Sequence, residues 1–386
     1  MSPTRAEIDL DAIAHNVRTL RALSRPALLC AVVKANGYGH GAEPVARAAV
    51  AAGADWLAVA HVDEAVALRD AGIDAPLLLL SEPRPDELDI VSQLDVRVTV
   101  YTHEFVSALA EAMRRGRTQA PGFPVHLKVD TGMRRVGAHP DEAVALAKAI
   151  AGMPELALEG VCTHCAVADE PDNPFTARQL ERFDAFVDEL QGAGIEVPLR
   201  HAANSAAAIR VPAARYELVR CGIAVYGIPP APTMSDVMEG VMELRPALSL
   251  RSHVSFVKEV GAGEGISYGH HQRTGCDAII ATVPVGYADG VARSLPLVGG
   301  EVLIAGRRRR MIGVVTMDQL MVDCGPATVA DHDVRPGDEV VLLGRQGPEV
   351  ITPDDWAERL GTISYEVVCG LGPRVERRYV GGPPAA

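Results

Sequence analysis

Along the first half of the chain, short apolar runs alternate with alanine-rich stretches of helical spacing. The apolar runs cover residues 27–34, 56–60, 76–80, 96–101, 123–130, 158–164, 197–202 and 218–226. The stretches at 44–52, 63–71, 103–115, 141–151 and 173–193 read as helices between them. Helices in the gaps predict parallel strands, because parallel neighbours need a long crossover. Eight such units predict an α/β chain that opens with a (β/α)8 barrel of the TIM type. An open doubly wound sheet would give the same texture. The gap after Ala202 is the shortest, and that unit is the weakest.

Near Pro246 the texture changes. Residues 248–257, 276–284, 301–305, 311–315, 320–323 and 339–343 alternate as strands do, with glycine turns between them. This predicts a second, mostly-β domain. The prolines at 229, 230, 232 and 246 suit the connection, and the predicted domains are 1–240 and 241–386. Glu7-Ile8-Asp9-Leu10 alternates before the first helix, so residues 1–10 are expected to pair with the second domain.

Composition narrows the function classes. With 37 basic and 50 acidic residues among 386, the net charge is −13. That balance repels phosphate backbones and anionic lipid, so neither nucleic acid nor membrane is an expected partner. The basic run Arg307-Arg308-Arg309-Arg310 reads as a solvated hairpin. No apolar run nears the roughly 20 residues that span a bilayer. The amino terminus lacks a basic head before an apolar stretch. Seven scattered cysteines suit reduced thiols. A cytoplasmic protein is expected.

Barrel active sites lie at the carboxyl ends of the strands, which singles out Lys34. It closes the run Leu28–Val33 and precedes the glycine-dense Ala35-Asn36-Gly37-Tyr38-Gly39-His40-Gly41. Partial desolvation there would lower an amine's pKa and favour a Schiff base with a carbonyl substrate or with pyridoxal phosphate. A lysine capping a strand is the plainer reading. Lys128 and Asp130, His164, His201, Asn204-Ser205 and Arg220 fall at other strand ends. Each alone could be a satisfied polar group; together they suit an anionic ligand. Cys162-Thr163-His164-Cys165 has no second cysteine pair, and Gly261-Ala262-Gly263-Glu264-Gly265 misses the dinucleotide spacing.

The segment Ala31–Gly41 resembles the cofactor-lysine signature of alanine racemases. The likeness continues through Leu127–Met133, Thr163-His164, Ala203-Asn204-Ser205, Arg220–Ile223, Tyr226-Gly227, Ile266–Gly269, Pro284–Gly290, Met317-Asp318-Gln319 and Thr362–Glu366. The resemblance implies a barrel followed by a β domain, pyridoxal 5'-phosphate as cofactor and a small amino-acid substrate. It also implies a homodimer with shared active sites, and D-alanine supply for peptidoglycan.

By the same resemblance, Lys34 would hold the cofactor and act as the base on one face. Tyr268 of the partner would be the base on the other. Arg220 would pair with the pyridine nitrogen, keeping it unprotonated and limiting side reactions. Tyr38, Ser205, Gly222, Ile223 and Tyr365 would bind the phosphate, with Asn204 beside Ser205. Arg135 and the Met317 backbone would bind the substrate carboxylate. His164 would join the network around Tyr268 and Arg220; Asp318 and Tyr287 would support the entrance. Lys128 matches a lysine that many members carry as a carbamate.

Two positions depart from the family pattern. Arg134 stands where many members have glycine, and Thr316 where cysteine is common. Neither removes a reacting group. A broader racemase acting on serine, a pyridoxal-dependent decarboxylase and a non-catalytic cofactor carrier are the alternatives. A decarboxylase would want an acid at the ring nitrogen, and a carrier should lack the β domain with Tyr268 and Met317.

Overall fold

The computed structural model describes residues 3–116, 122–234, 242–328 and 333–382. The chain divides into two units. One runs from Asp11 to Gly37 and from Ala42 to Arg245; the other combines the amino-terminal residues through Leu10 with Tyr38–Gly41 and Pro246–Gly382. The expected boundary at 240/241 lies outside the described residues.

The first unit holds eight parallel strands: β2 (Leu28–Val32), β3 (Trp56–Val59), β4 (Leu77–Leu79), β5 (Arg97–Val100), β6 (Phe123–Lys128), β7 (Leu156–Cys162), β8 (Leu199–His201) and β9 (Leu218–Cys221). Their order is β8-β7-β6-β5-β4-β3-β2-β9. Two bonds tie β8 to β9 and close the ring: Arg220 N–H to Ala203 O at 2.9 Å and Glu217 N–H to Arg200 O at 3.2 Å. Leu57, Ala58, Leu77, Leu78, Val98 and Leu127 are fully buried. Strands covered on both faces need no polar side, which is why these segments read as unbroken apolar runs. The barrel is the one expected from the pattern.

Helices follow the strands at Ala42–Ala51, Val62–Asp70, His103–Gly116, Pro140–Ala151 and Phe175–Gly192. After β8 there are only the short Ser205–Arg210 and a 3-10 turn, Pro212–Ala214. The apolar run at 218–226 is not one strand: it is β9 followed by a 3-10 turn, Ile223–Tyr226, entered at Gly222. Both halves are buried, so hydrophobicity could not separate them.

The second unit is mostly β. Strand β1 (Arg5–Asp9) lies between β10 (Leu248–His253), antiparallel, and β20 (Glu376–Val380), parallel. The remaining strands are β11 (Phe256–Val260), β12 (Gly265–Ile266), β13 (Gln272–Arg273), β14 (Ala278–Val283), β15 (Glu301–Ile304), β16 (Arg307–Ile312), β17 (Leu320–Pro326), β18 (Glu339–Gln346) and β19 (Glu349–Ile351). The main sheet runs β11-β14-β17-β16-β15-β18-β10-β1-β20, with β19 paired to β18. Buried and half-buried positions alternate along β10, as on a sheet with one covered face.

Two readings change here. Residues 248–257 form β10 and the start of β11, not a single strand. The four arginines are part of β16, which begins at Arg307 rather than at 311. Ala305 and Gly306, both at positive φ, make the tight turn into it. Arg308 pairs with Glu301 and Glu349, and Arg309 with Asp333, so local carboxylates answer the basic run.

Candidate active site

Lys34 stands just beyond the end of β2, where the chain leaves ordinary backbone geometry. Ala35, Asn36, Gly37 and Tyr38 all have φ between 50° and 61°, a left-handed turn. Such a conformation costs about 1–2 kcal/mol for each non-glycine residue, so the surroundings must hold it. Gly37 N–H reaches Val33 O at 2.9 Å, and Ala42 N–H reaches Asn36 Oδ1 at 3.0 Å. Glu64 adds the strongest tie. Its Oε1 accepts from Ala35 N–H at 2.6 Å, and its Oε2 accepts from Ala60 and His61 at 2.8 and 3.1 Å. One carboxylate thus fastens the residue after Lys34 to the end of the neighbouring strand β3.

Positive charge gathers at the carboxyl ends of the strands. Lys128 ends β6 and is 8% exposed. Burial, with repulsion from Arg220 and Arg135, pushes its amine below the ordinary lysine range. Arg220, on β9, is 6% exposed. Its Nη1 donates to His201 Nδ1 at 2.5 Å; its Nη2 reaches Thr163 O at 2.8 Å, Ala202 O at 3.2 Å and His164 Nδ1 at 3.3 Å.

His164 is held well below its ordinary pKa by burial, then by the charges of Arg220, Lys128, Arg135 and Lys34. It is therefore neutral at pH 7. Because an arginine only donates, His164 Nδ1 accepts and its proton sits on Nε2.

Beside this cluster, Ser205 Oγ accepts from Gly222 N–H at 2.9 Å and Ala224 N–H at 3.4 Å. Its own hydroxyl proton is left for a further acceptor. Asn204 caps the following helix through Ala207 N–H and donates to Cys165 O at 3.2 Å. Arg135 is exposed, and Arg134 adopts φ 58° with its N–H on Asp130 at 3.1 Å. Lys34, Lys128, Arg135, His164 and Arg220 are thus brought together electrostatically, while Ser205, Gly222 and Ile223 stand together on the loops after β8 and β9.

The second unit positions the remaining residues. The ring centroids of Tyr38 and Tyr365 are 6.2 Å apart. A Cβ on Gly39 would fall 2.2 Å from Val368 O, so only glycine lets this loop seat on the helix Ser364–Cys369. Tyr268 begins a 3-10 turn and is 71% exposed. Ser267 before it has φ 62° and bonds through Oγ to Val314 O at 2.8 Å. Tyr287 N–H donates to Thr316 O at 3.0 Å and Ala288 N–H to Met317 O at 3.1 Å. These loops hold the exposed side chains of Tyr268, Tyr287 and Met317. Arg374 bridges Asp318 at 2.8 Å and Asp289 at 3.0 Å.

Glu64, His126 and Glu159 escaped the sequence reading. Glu64 carried a signal, since His61-Val62-Asp63-Glu64 puts an acid at the third position of a helix, where it can bond back to the preceding amides. His126 is a polar residue in the apolar β6, and Glu159 has no distinguishing pattern.

The cations, the Ser205 hydroxyl and the Arg220 guanidinium form a donor set suited to a multiply charged anion that also carries an acceptor nitrogen. Pyridoxal phosphate has both features, so these residues fit it.

Residues 8–230 match the family model of the alanine racemase N-terminal domain, and residues 247–379 that of the alanine racemase C-terminal domain. The chain is 49% identical over 381 residues to the alanine racemase of Symbiobacterium thermophilum, covering 99% of this chain and 98% of that one. It is 44% identical over 380 residues to that of Carboxydothermus hydrogenoformans, covering 98% and 100%. Among solved structures, alanine racemase from D-cycloserine-producing Streptomyces lavendulae aligns with TM-score 0.91 at 39% identity, over 99% of this chain and 98% of that one. The Bacillus anthracis alanine racemase with bound L-Ala-P aligns with TM-score 0.89 at 39% identity, over 99% and 96%.

Replacing Glu64 by alanine hands three backbone N–H groups over to water and releases the left-handed turn. Stability should fall by about 2–3 kcal/mol, read as a lower urea midpoint. Hydrogen exchange should quicken at Ala35 before the barrel strands open. Unchanged exchange at Ala35 would show that the turn does not depend on this carboxylate.

Proposed function

The chain belongs to the alanine racemase family, and we propose that it interconverts L- and D-alanine with residues held at the strand ends of its barrel. The family is pyridoxal-phosphate-dependent and supplies D-alanine for peptidoglycan. A cytoplasmic location goes with that role. The observation that carries the reading is the cationic cluster around Lys34 and Arg220, with its neutral histidines.

When bound, pyridoxal phosphate supplies an electron sink that makes the Cα–H of an attached amino acid acidic. Lys34 would hold it through the ε-amine, and as a free amine it is the group that would move a proton at Cα on one face. Tyr38, Ser205, Gly222, Ile223 and Tyr365 hold the phosphate, with Asn204 bracing the Ser205 helix. Arg220 would serve the ring nitrogen as a donor that cannot surrender its proton. Arg135 and the Met317 backbone N–H orient the substrate carboxylate. Asp318, fixed by Arg374, and Tyr287 frame the entrance.

Inversion needs a proton on the opposite face, and Tyr268 of a second copy provides it. What supports a dimer is exposure: Tyr268, Met317 and Tyr287 are 71%, 53% and 44% exposed on hydrogen-bonded loops of one unit. Large side chains clustered in this way mark an interaction surface. Tyrosine ordinarily ionises near pH ~10, so cationic neighbours must stabilise its phenolate.

Lys128 acts as a carbamate. The free amine adds carbon dioxide and releases one proton, changing a cation into an anion that can hold Arg135. Its lowered pKa supports this, because the reactive free base persists to lower pH than for a solvated lysine.

Single enantiomers of alanine, serine and larger amino acids, followed by circular dichroism, test the activity. Alanine should racemise fastest, and a serine rate equal to it would indicate the broader enzyme. Borohydride should fix the cofactor's mass on the peptide containing Lys34. Lys34→Ala should abolish that label and reduce the rate by at least about a thousandfold; a label retained elsewhere would refute the assignment.

Growth in labelled bicarbonate should give a carbamate carbon resonance that Lys128→Ala removes, and small carboxylates should partly restore that variant's activity. An unlabelled ammonium at neutral pH would overturn the carbamate.

Mixing Lys34→Ala with Tyr268→Phe, each inactive alone, should regenerate activity through one intact site per heterodimer. No recovery after demonstrated subunit exchange would end the shared-site model.

A further inference from the structure

Below the active-site end of the barrel lies a line of polar side chains that the proposed reaction does not use. The register places Lys128, Cys162 and His201 side by side at the top of β6, β7 and β8; His126, Gly160 and Leu199 lie two residues beneath. His126 and His201 have no exposed surface. His126 Nδ1 lies 2.7 Å from His201 Nε2, and His126 Nε2 lies 3.0 Å from Glu159 Oε2. With the 2.5 Å contact from His201 Nδ1 to Arg220 Nη1, three hydrogen bonds connect Glu159 to the guanidinium.

Proton positions along this line follow from its two ends. Arginine donates and cannot accept, so His201 Nδ1 bears no proton. A neutral His201 then carries its proton on Nε2 and donates to His126 Nδ1. His126 must carry its own proton on Nε2 and donate to Glu159, which as a carboxylate only accepts. Burial, ahead of all other causes, holds both histidines below their ordinary pKa, consistent with two neutral rings. Burial raises the Glu159 pKa, but His126 and Arg97 outweigh it and the net shift is downward.

The surroundings are shaped for this line. A Cβ on residue 160 would fall 2.8 Å from His126 Nδ1 and 2.9 Å from its Cε1, so glycine there leaves room for the imidazole. Trp56 meets the His126 ring edge-on at 5.6 Å. Arg97 stacks over Trp56 at 5.3 Å and lies 3.4 Å from Glu159 Oε2.

We propose that Glu159 is a positioning residue for the active site: accepting from His126, it fixes one proton order through His126 and His201 and so orients the Arg220 guanidinium. Reversing His201 would set an N–H against an Arg220 N–H, and reversing His126 would set one against the His201 N–H and leave its bare Nε2 facing the Glu159 carboxylate. Glu159 touches neither substrate nor cofactor; it acts through the chain of rings. The kinetic part of this inference rests on the racemase reading, whereas the proton order does not.

Nitrogen NMR of the histidine-labelled holoenzyme at neutral pH tests the proton order directly. His126 and His201 should each show a protonated Nε2 and an unprotonated Nδ1. A proton on Nδ1 of either ring overturns the proposal, whether or not the protein racemises alanine.

Two variants test the consequence. Glu159→Gln keeps a carbonyl acceptor and should retain the tautomers, with kcat within about threefold of the parent. Glu159→Leu removes the acceptor. It should disturb the His201 signals, shift the absorbance maximum of the bound cofactor and lower kcat on the order of ten- to a hundredfold, with KM for alanine within about twofold. A folded Glu159→Leu protein with parental kcat and spectrum overturns the proposal, as does a Gln variant as impaired as the Leu one. Should Glu159→Leu fail to fold, the parental tautomers and the Gln variant still decide the question.

Discussion

A guanidinium that keeps its proton lies buried in the barrel wall, and much of the polar interior is arranged around it. Arg220 is 6% exposed, which would be strongly unfavourable if its N–H groups lacked acceptors. Backbone carbonyls of Thr163 and Ala202 and the unprotonated nitrogens of His164 and His201 supply them. None of these partners carries a negative charge, so the bonds satisfy the hydrogens and leave the charge in force. That charge helps keep His164 and His201 neutral and lowers the Lys128 pKa. A site built this way favours anions and holds its acid–base groups in defined protonation states.

The same demand shapes the backbone after Lys34. Instead of starting a right-handed helix at once, the chain takes four left-handed residues after Lys34. Only one of the four is glycine, so the conformation is imposed by contacts rather than chosen by the residues. Glu64, the Asn36 side chain and the Gly37–Val33 bond impose it. The placement of Lys34 therefore depends on this local network of bonds.

Much of the fold was legible because barrel strands are buried on both faces and sheet strands on one, and these leave different hydrophobic periods. What was lost is what periodicity cannot encode. The break between β9 and the 3-10 turn at Ile223 is invisible because both sides are buried. The arginines of β16 read as a solvated hairpin, with the strand starting only at Met311, because their partners, Glu301, Glu349 and Asp333, lie up to tens of residues away in sequence. Among the site residues, lysines and arginines at strand ends announced themselves through position. Glu64, His126 and Glu159 did not, because each acts by bonding a group distant in sequence.

The two units contribute chemistry of opposite kinds. In the barrel, Arg220, His164, His201 and Ser205 are buried or nearly so and hydrogen-bonded. In the second unit, Tyr268 is exposed, on a turn whose preceding residue is strained at φ 62°. That strain is held by the Ser267–Val314 bond and by Gly313, where a Cβ would fall 2.7 Å from Ser267 Cβ. The loop backbone is thus pinned by these contacts while its tyrosine stays open to solvent. On the proposed shared-site reading, the exposed face of Tyr268 is what a second copy of the chain would cover.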